Sequence, residues 1–260
     1  IIFTIPVVCN ELRNVVCVGT DEAYISGQDN SIKRVDEKGS VKETVATKAN
    51  WPDITLTEQG ELLSSNTISG TVDIVKQGVI ETYITPPQGW AAHTLCCTRS
   101  GDVLVNVRRG RKNKILRYRG PHISQEIDTD LNKKLIFGEG IFFLMITENS
   151  NGYVCVSDRN AKTVTVVDRT GRVRFRYDGT SAGIKKSFDP AGIVTDSLGH
   201  IIVSDFNNDC LHIIDQNGKF LKCVDNCGLH KPYGLSVDNE ERLWVALAGE
   251  DAIKVIKYLK

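Results

Sequence analysis

Two stretches of this chain superimpose almost residue for residue, and that repetition limits the fold more than any other feature. One runs Gly199-His-Ile-Ile-Val-Ser-Asp205, Phe206-Asn-Asn-Asp209, Cys210-Leu-His-Ile-Ile-Asp215, then Gln216-Asn-Gly218. The other runs Gly152-Tyr-Val-Cys-Val-Ser-Asp158, Arg159-Asn-Ala-Lys162, Thr163-Val-Thr-Val-Val-Asp168, then Arg169-Thr-Gly171. Each is a short apolar strand, a polar turn, a second alternating strand and a turn closed by glycine. Looser copies pair Glu22–Ser26 with Ser31–Asp36, Gly60–Ser64 with Thr71–Val75, Gly101–Val105 with Lys114–Tyr118, and Glu241–Val245 with Ala252–Ile256.

Further apolar runs flank these pairs. Asp53–Thr57, Gly192–Asp196 and Gly234–Asp238 precede them, and Val173–Tyr177 and Lys219–Val224 follow. Each unit thus has four strands, named a to d from the axis outward. The starts fall about 40 to 50 residues apart, the period of four-stranded propeller blades. The last unit lacks a fourth strand, whereas Ile1–Ile5 is a strand with no unit before it. Pairing the two closes the ring and leaves no long open edge. The expectation is an all-β, six-bladed β-propeller forming a single domain over residues 1–260. Its blades fall near residues 11–46, 51–85, 90–128, 139–178, 189–224 and 232–260 plus 1–5.

Composition is that of a globular domain, 41% hydrophobic and 25% charged. The longest apolar stretch, Gly140–Ile146, is too short to span a bilayer, so no membrane role is expected. Residue 1 is an Ile inside a strand-like run, so we expect a domain of a longer protein, with any targeting signal elsewhere. A chain of 260 residues needs no covalent staples, and its eight cysteines read as free thiols in a reducing, cytoplasmic setting. Cys96 and Cys97 are adjacent and so face opposite sides of a strand. Cys223 and Cys227 are the one close pair; a zinc site would need a second pair, which the sequence does not offer, so no metal site is expected.

The runs Val156-Ser-Asp158, Val203–Asp215 and Lys231–Asp238 resemble the NHL repeat, a strand ending in Ser/Ala-Asp, a polar turn, and an Asp before glycine. No copy holds an intact Asn-His-Leu tripeptide. The resemblance implies a binding platform and not an enzyme, with no cofactor. It also suggests the C-terminal module of a tripartite-motif (TRIM-NHL), RING-type ubiquitin ligase whose catalytic part lies outside this chain. Such a domain would be monomeric, with the parent oligomerising through a coiled coil.

In a propeller the b–c and d–a connections share one face. That rule gathers Arg108, Arg109, Arg111, Lys112, Lys114, Arg159, Lys162, Lys185, Lys186 and Lys231 on it, and sends many acidic turns to the other. Trp51, Trp90, Phe206 and Tyr233 lie at loop ends on the same basic face. Cations with aromatics suit phosphate attraction and base stacking, so RNA, as a single strand or a stem-loop, is the favoured partner. A plainer reading makes the tryptophans strand caps and the Arg108–Lys114 run a solvated hairpin tip; the pI of 7.1 argues against a strong general RNA binder. A protein substrate recruited to the same face is the alternative. A metal-dependent hydrolase or lactonase stands a distant third. Its oxygen ligands at the axial mouth would be Asn14, Asp53 and Glu139, with His93 or Thr94 beside them and glycines at 192 and 234. No Gly-x-Ser-x-Gly elbow is present.

Overall fold

The computed structural model describes residues 2–76 and 78–258; Ile1, Gln77, Leu259 and Lys260 lie outside the described residues, and with them both outer bounds of the expected domain. The opening strand β1 is Phe3–Pro6. Blade 1 follows as β2 (Asn14–Val18), β3 (Glu22–Ser26), β4 (Ser31–Asp36) and β5 (Val41–Ala46). Blade 2 is β6 (Ile54–Leu56), β7 (Leu62–Asn66), β8 (Thr71–Lys76) and β9 (Val79–Ile84). Blade 3 is β10 (Ala91–Cys97), β11 (Val103–Arg109), β12 (Lys112–Arg119) and β13 (His122–Ile127). Blade 4 is β14 (Leu144–Glu148), β15 (Val154–Asp158), β16 (Thr163–Val167) and β17 (Val173–Tyr177). Blade 5 is β18 (Pro190–Thr195), β19 (Ile201–Asp205), β20 (Cys210–Ile214) and β21 (Phe220–Val224). Blade 6 is β22 (Pro232–Val237), β23 (Leu243–Leu247) and β24 (Ala252–Ile256), completed by β1. The chain is therefore a six-bladed β-propeller of antiparallel four-stranded sheets.

Closure works as the sequence suggests. Phe3 pairs with Val255 and Pro6 with Ala252, so β24 keeps no free edge. Ile5 is fully buried among Val15, Ala23, Ile25, Trp244 and Ile253, which ties blades 6 and 1 together from both faces. Burying a side chain of this size stabilises by roughly 2 kcal/mol. Comparable apolar clusters fill the other gaps between neighbouring blades.

The turns repeat one device. Asp36, Asp168, Asp215 and Asp238 each turn Oδ1 back to accept the backbone N–H groups two and four residues on. This explains why Asp recurs before a turn glycine, since the carboxylate supplies acceptors that the tight turn cannot.

Cys96 and Cys97 do face opposite sides, packing into different inter-blade cores. All eight cysteines are free thiols. Cys223 and Cys227 do not sit together, because Cys227 leaves the strand for the core between blades 5 and 6, while Cys223 lies across from His212.

Candidate partner-binding face

The b–c turns are built by the residues that end the b strands. Asp158 is fully buried, and its carboxylate accepts the N–H of Ala161 in its own turn and of Gly138 in the preceding loop. Asp205, equally buried, accepts from Asn208 and from the backbone of Asp189. The Ser-Asp signature is thus structural: one carboxylate fastens a b–c turn to the d–a loop beside it. Burial raises the Asp158 carboxyl above the usual carboxylate range, against the lowering effect of its backbone hydrogen bonds.

On this scaffold an arginine–aromatic ring runs around the axial mouth. Arg13 lies 5.0 Å from the Trp51 ring and 5.3 Å from Tyr233. Tyr233 meets Phe206 edge to face at 6.1 Å. Arg159 sits between Phe206 at 5.1 Å and Phe142 at 4.3 Å. Arg108 covers Phe143 at 5.3 Å, and Phe143 stacks on His93 at 4.0 Å. Arg109 lies 4.9 Å from Trp90. The structure thus brings Trp51, Trp90, Phe206 and Tyr233 onto one face, where the strand rule places them. Arg13, His93, Phe142 and Phe143 complete the ring; His93 stands in β10, at the mouth position that its repeat marks, whereas Arg13, Phe142 and Phe143 come from loops of unequal length that no repeat position marks.

The cations on this face divide into two kinds. Arg108 spends its guanidinium on the carbonyls of Gly110, Gly140 and Ile141. Arg159 holds Asp189 through two nitrogens, at 2.8 and 2.5 Å. Lys114 does not lie at the hairpin tip: it is inside β12 and buried, with its Nζ 2.8 Å from Glu126 and 4.3 Å from the Trp90 ring. These three hold the loops in place, which corrects the expectation of a freely available Lys114. Lys162 donates to Ser187, Lys186 to the Asn207 carbonyl, and Lys112 approaches Glu139 at 4.0 Å; these ends are exposed and readily exchanged. Arg109, Arg111, Lys185 and Lys231 are exposed as well.

Charge does not separate into one basic and one acidic face. The b–c and d–a loops also carry Glu11, Asp29, Asp128, Asp130, Asp178, Asp209, Asp225, Glu250 and Asp251. The basic character is concentrated around blades 3 to 5. The opposite face holds its own arginine-rich cleft between blades 3 and 4, with Arg99, Arg117, Arg119 and Arg169 beside Asp102 and Glu148. Arg117 there pairs with Glu148 at 2.7 Å, and Arg119 with Asp102 at 3.1 Å.

The inner strands enclose a narrow axial cavity of about 160 Å³. Asp53 is the carboxylate at its mouth. It accepts the Leu95 N–H at 2.7 Å, and burial pushes its carboxyl up to about 7. Asn14 spends its amide on Ser26 and the Pro52 carbonyl, and Thr94 donates to the Leu144 carbonyl. Glu139 lies outside this mouth, in the loop before β14, because blade 4 opens at Leu144. Gly192 and Gly234 bring no side chain, and a Cβ on Gly192 would collide with the Tyr233 carbonyl. One half-protonated carboxylate does not make the oxygen-rich shell that a divalent cation needs, so these residues do not fit a resident metal.

The fold and turns define a six-bladed β-propeller that carries an NHL repeat. The NHL repeat description matches residues 189–214, the inner three strands of blade 5. No curated protein sequence matches the chain. Among solved structures, virginiamycin B lyase from Staphylococcus aureus superimposes with a TM-score of 0.69 at 13% identity, over 99% of this chain and 89% of that one. A gluconolactonase from Xanthomonas campestris gives 0.69 at 12% identity, over 95% and 87%. The WD40 propeller domain of Doa1 gives 0.67 at 13% identity, over 99% and 96%. Likeness at this level of identity shows the propeller fold alone, shared by enzymes and binding domains.

Proposed function

We propose that this chain is a recognition module that binds a protein partner on the arginine–aromatic ring, without catalysis of its own. The observation that carries the reading is the ring itself. Trp51, Phe142 and Phe143 stay more than a third exposed although each is stacked against an arginine or a histidine. Rigid aromatics and preorganised guanidiniums surrounded by mixed charge are the composition of an interface hot spot with a polar rim. The NHL resemblance supports placing such a module in a cytoplasmic TRIM-type ubiquitin ligase, as its substrate-recruiting end, with the RING and coiled coil elsewhere.

RNA is the second reading, favoured by a specific observation: Arg109, Arg111, Lys112, Lys162, Lys185 and Lys186 are exposed beside the ring in blades 3 to 5. It ranks below the protein reading because Arg108, Lys114 and Arg159 are already committed within the fold, and the formal net charge is zero.

One experiment separates the two. Partners captured on the immobilised domain are compared between wild type, Trp51→Ala/Phe142→Ala and Lys185→Glu/Lys186→Glu, with and without ribonuclease. Labelled single-stranded and stem-loop RNAs are titrated in parallel at two salt concentrations. The protein reading expects ribonuclease-resistant capture that the aromatic variant loses and the lysine variant keeps. RNA binding that weakens with salt, by about 0.7 log units per phosphate contact per log of salt for single strands, and disappears in the lysine variant would establish the second reading. Capture indifferent to both variants would overturn the assignment of this face.

A further inference from the structure

Blade 5 carries a cluster that the partner-binding face does not use. Cys210 and His212 are two residues apart on β20 and therefore point to the same side. Cys223 lies on β21 directly opposite His212, so its side chain joins them. The two sulfurs and a ring nitrogen of His212 all lie within 4.8 Å of one another. His212 is fully buried and Cys210 nearly so, whereas Cys223 is half-buried and gives the cluster its route to solvent.

The surroundings favour a cation. His212 Nε2 is buried without a hydrogen-bond partner, although Asp205 Oδ2 stands 3.3 Å away. Its other nitrogen, Nδ1, is 2.8 Å from the Tyr177 hydroxyl, which fixes the ring. Phe188 and Phe220 pack around the imidazole and keep water from it. An orphaned imidazole nitrogen beside two thiols and a carboxylate leaves the core poorly satisfied as it stands.

We propose that Cys210, His212 and Cys223 bind one zinc ion, with the Asp205 carboxylate or a water as the fourth ligand. Tetrahedral zinc with bonds of about 2.3 Å to sulfur and about 2.0–2.1 Å to nitrogen sets sulfurs roughly 3.8 Å apart by the same geometry. The ligand atoms already lie within 4.8 Å of one another, at most about 1 Å beyond this sulfur–sulfur spacing. Binding takes Zn²⁺ and two thiols to a zinc dithiolate and releases two protons, with no change of oxidation state. The ion would fasten β21, the outermost strand of its blade, to β20.

The test uses the whole chain, reduced with a phosphine and titrated with zinc against a chromogenic chelator, then with cobalt. One zinc per chain is expected, with a thiolate-to-cobalt charge-transfer band and release of two protons. Cys223→Ser should weaken zinc at least tenfold and remove most of that band, while Cys97→Ser, in blade 3, should keep both. Should Cys223→Ser fail to fold, the cobalt spectrum of the wild type decides alone. Three outcomes overturn the proposal: no stoichiometric zinc, unchanged affinity in Cys223→Ser, or a Cys210–Cys223 disulfide in protein purified without oxidant.

Discussion

Arg159 and Asp189 form a two-pronged pair, Nε to Oδ1 at 2.8 Å and Nη2 to Oδ2 at 2.5 Å, which joins the b–c turn of blade 4 to the loop entering blade 5. Both side chains are largely buried, at 12% and 15% exposure. The same guanidinium lies between Phe142 and Phe206, so a single residue fixes two aromatics of the ring.

Arg159→Ala should therefore destabilise the domain by about 2–3 kcal/mol, below the roughly 3–5 kcal/mol of a fully buried pair. Arg159→Lys should recover little, because an ammonium cannot make the fork or the stack. Urea unfolding of the three proteins measures this; full rescue by lysine would show that charge alone mattered.

Asp53 keeps its proton in the fold up to about pH 7 because it is buried, whereas an unfolded carboxyl releases it near about 3.9. Between those values the folded chain holds one proton more than the unfolded chain. Its contribution to stability is present at low pH and is lost as pH rises through 7, by at most ~1.4 kcal/mol per unit. Asp53→Asn should remove that slope and gain on the wild type as pH rises. Unfolding free energies at pH 4.5, 6 and 7.5 check the sign.

His93 has the opposite effect. Burial first, and then the Arg108 charge, lower its imidazole to about 4, against about 6.5 when unfolded. Here the unfolded chain holds the extra proton, so this contribution is lost as pH falls from the upper value towards the lower. His93→Gln should flatten the acid limb, and the ring's NMR signals in the wild type should titrate near pH 4. Titration at an ordinary histidine value would mean that the Phe143 stack leaves the ring open to water.

Gly192 sits where β18 passes the carbonyl of Tyr233 on the next inner strand, and Ser204 hydrogen-bonds that carbonyl at 2.8 Å. Gly192→Ala should cost about 1–3 kcal/mol through overpacking, with a lower thermal midpoint. An unchanged midpoint would mean that blades 5 and 6 can part at the axis without loss.

The fold was legible because each blade writes its strands in a local alphabet. Alternating Val, Ile and Thr mark the edges of the b and c strands, and Asp before Gly marks the turns. The surplus strand at Phe3–Pro6 and the missing one after Ile256 announced ring closure. The first strand of blade 4 opens at Leu144, after a long entry loop that follows β13, so the sequence bound near 139 falls in that loop. Trp51, Trp90, Phe206 and Tyr233 were legible as loop-end residues, whereas Phe142 and Phe143 were not. The fates of its cations were not, since nothing in the run Arg108–Lys114 says that Arg108 meets the carbonyls of Gly140 and Ile141, or that Lys114 turns inward to Glu126.

By itself, then, the amino-acid order determined the strands, the turns and their number per unit, because these rest on interactions between near neighbours along the chain; the closing of the ring, which joins Phe3 to Val255, was legible only from the count of strands. Only the tertiary structure decided which charges remain free, that Arg13 completes the ring between Trp51 and Tyr233, and that Cys223 faces Cys210 and His212 while Cys227 does not. Those outcomes depend on which strands the propeller sets side by side and how far each loop reaches across to the next blade, and sequence separation carries no record of either.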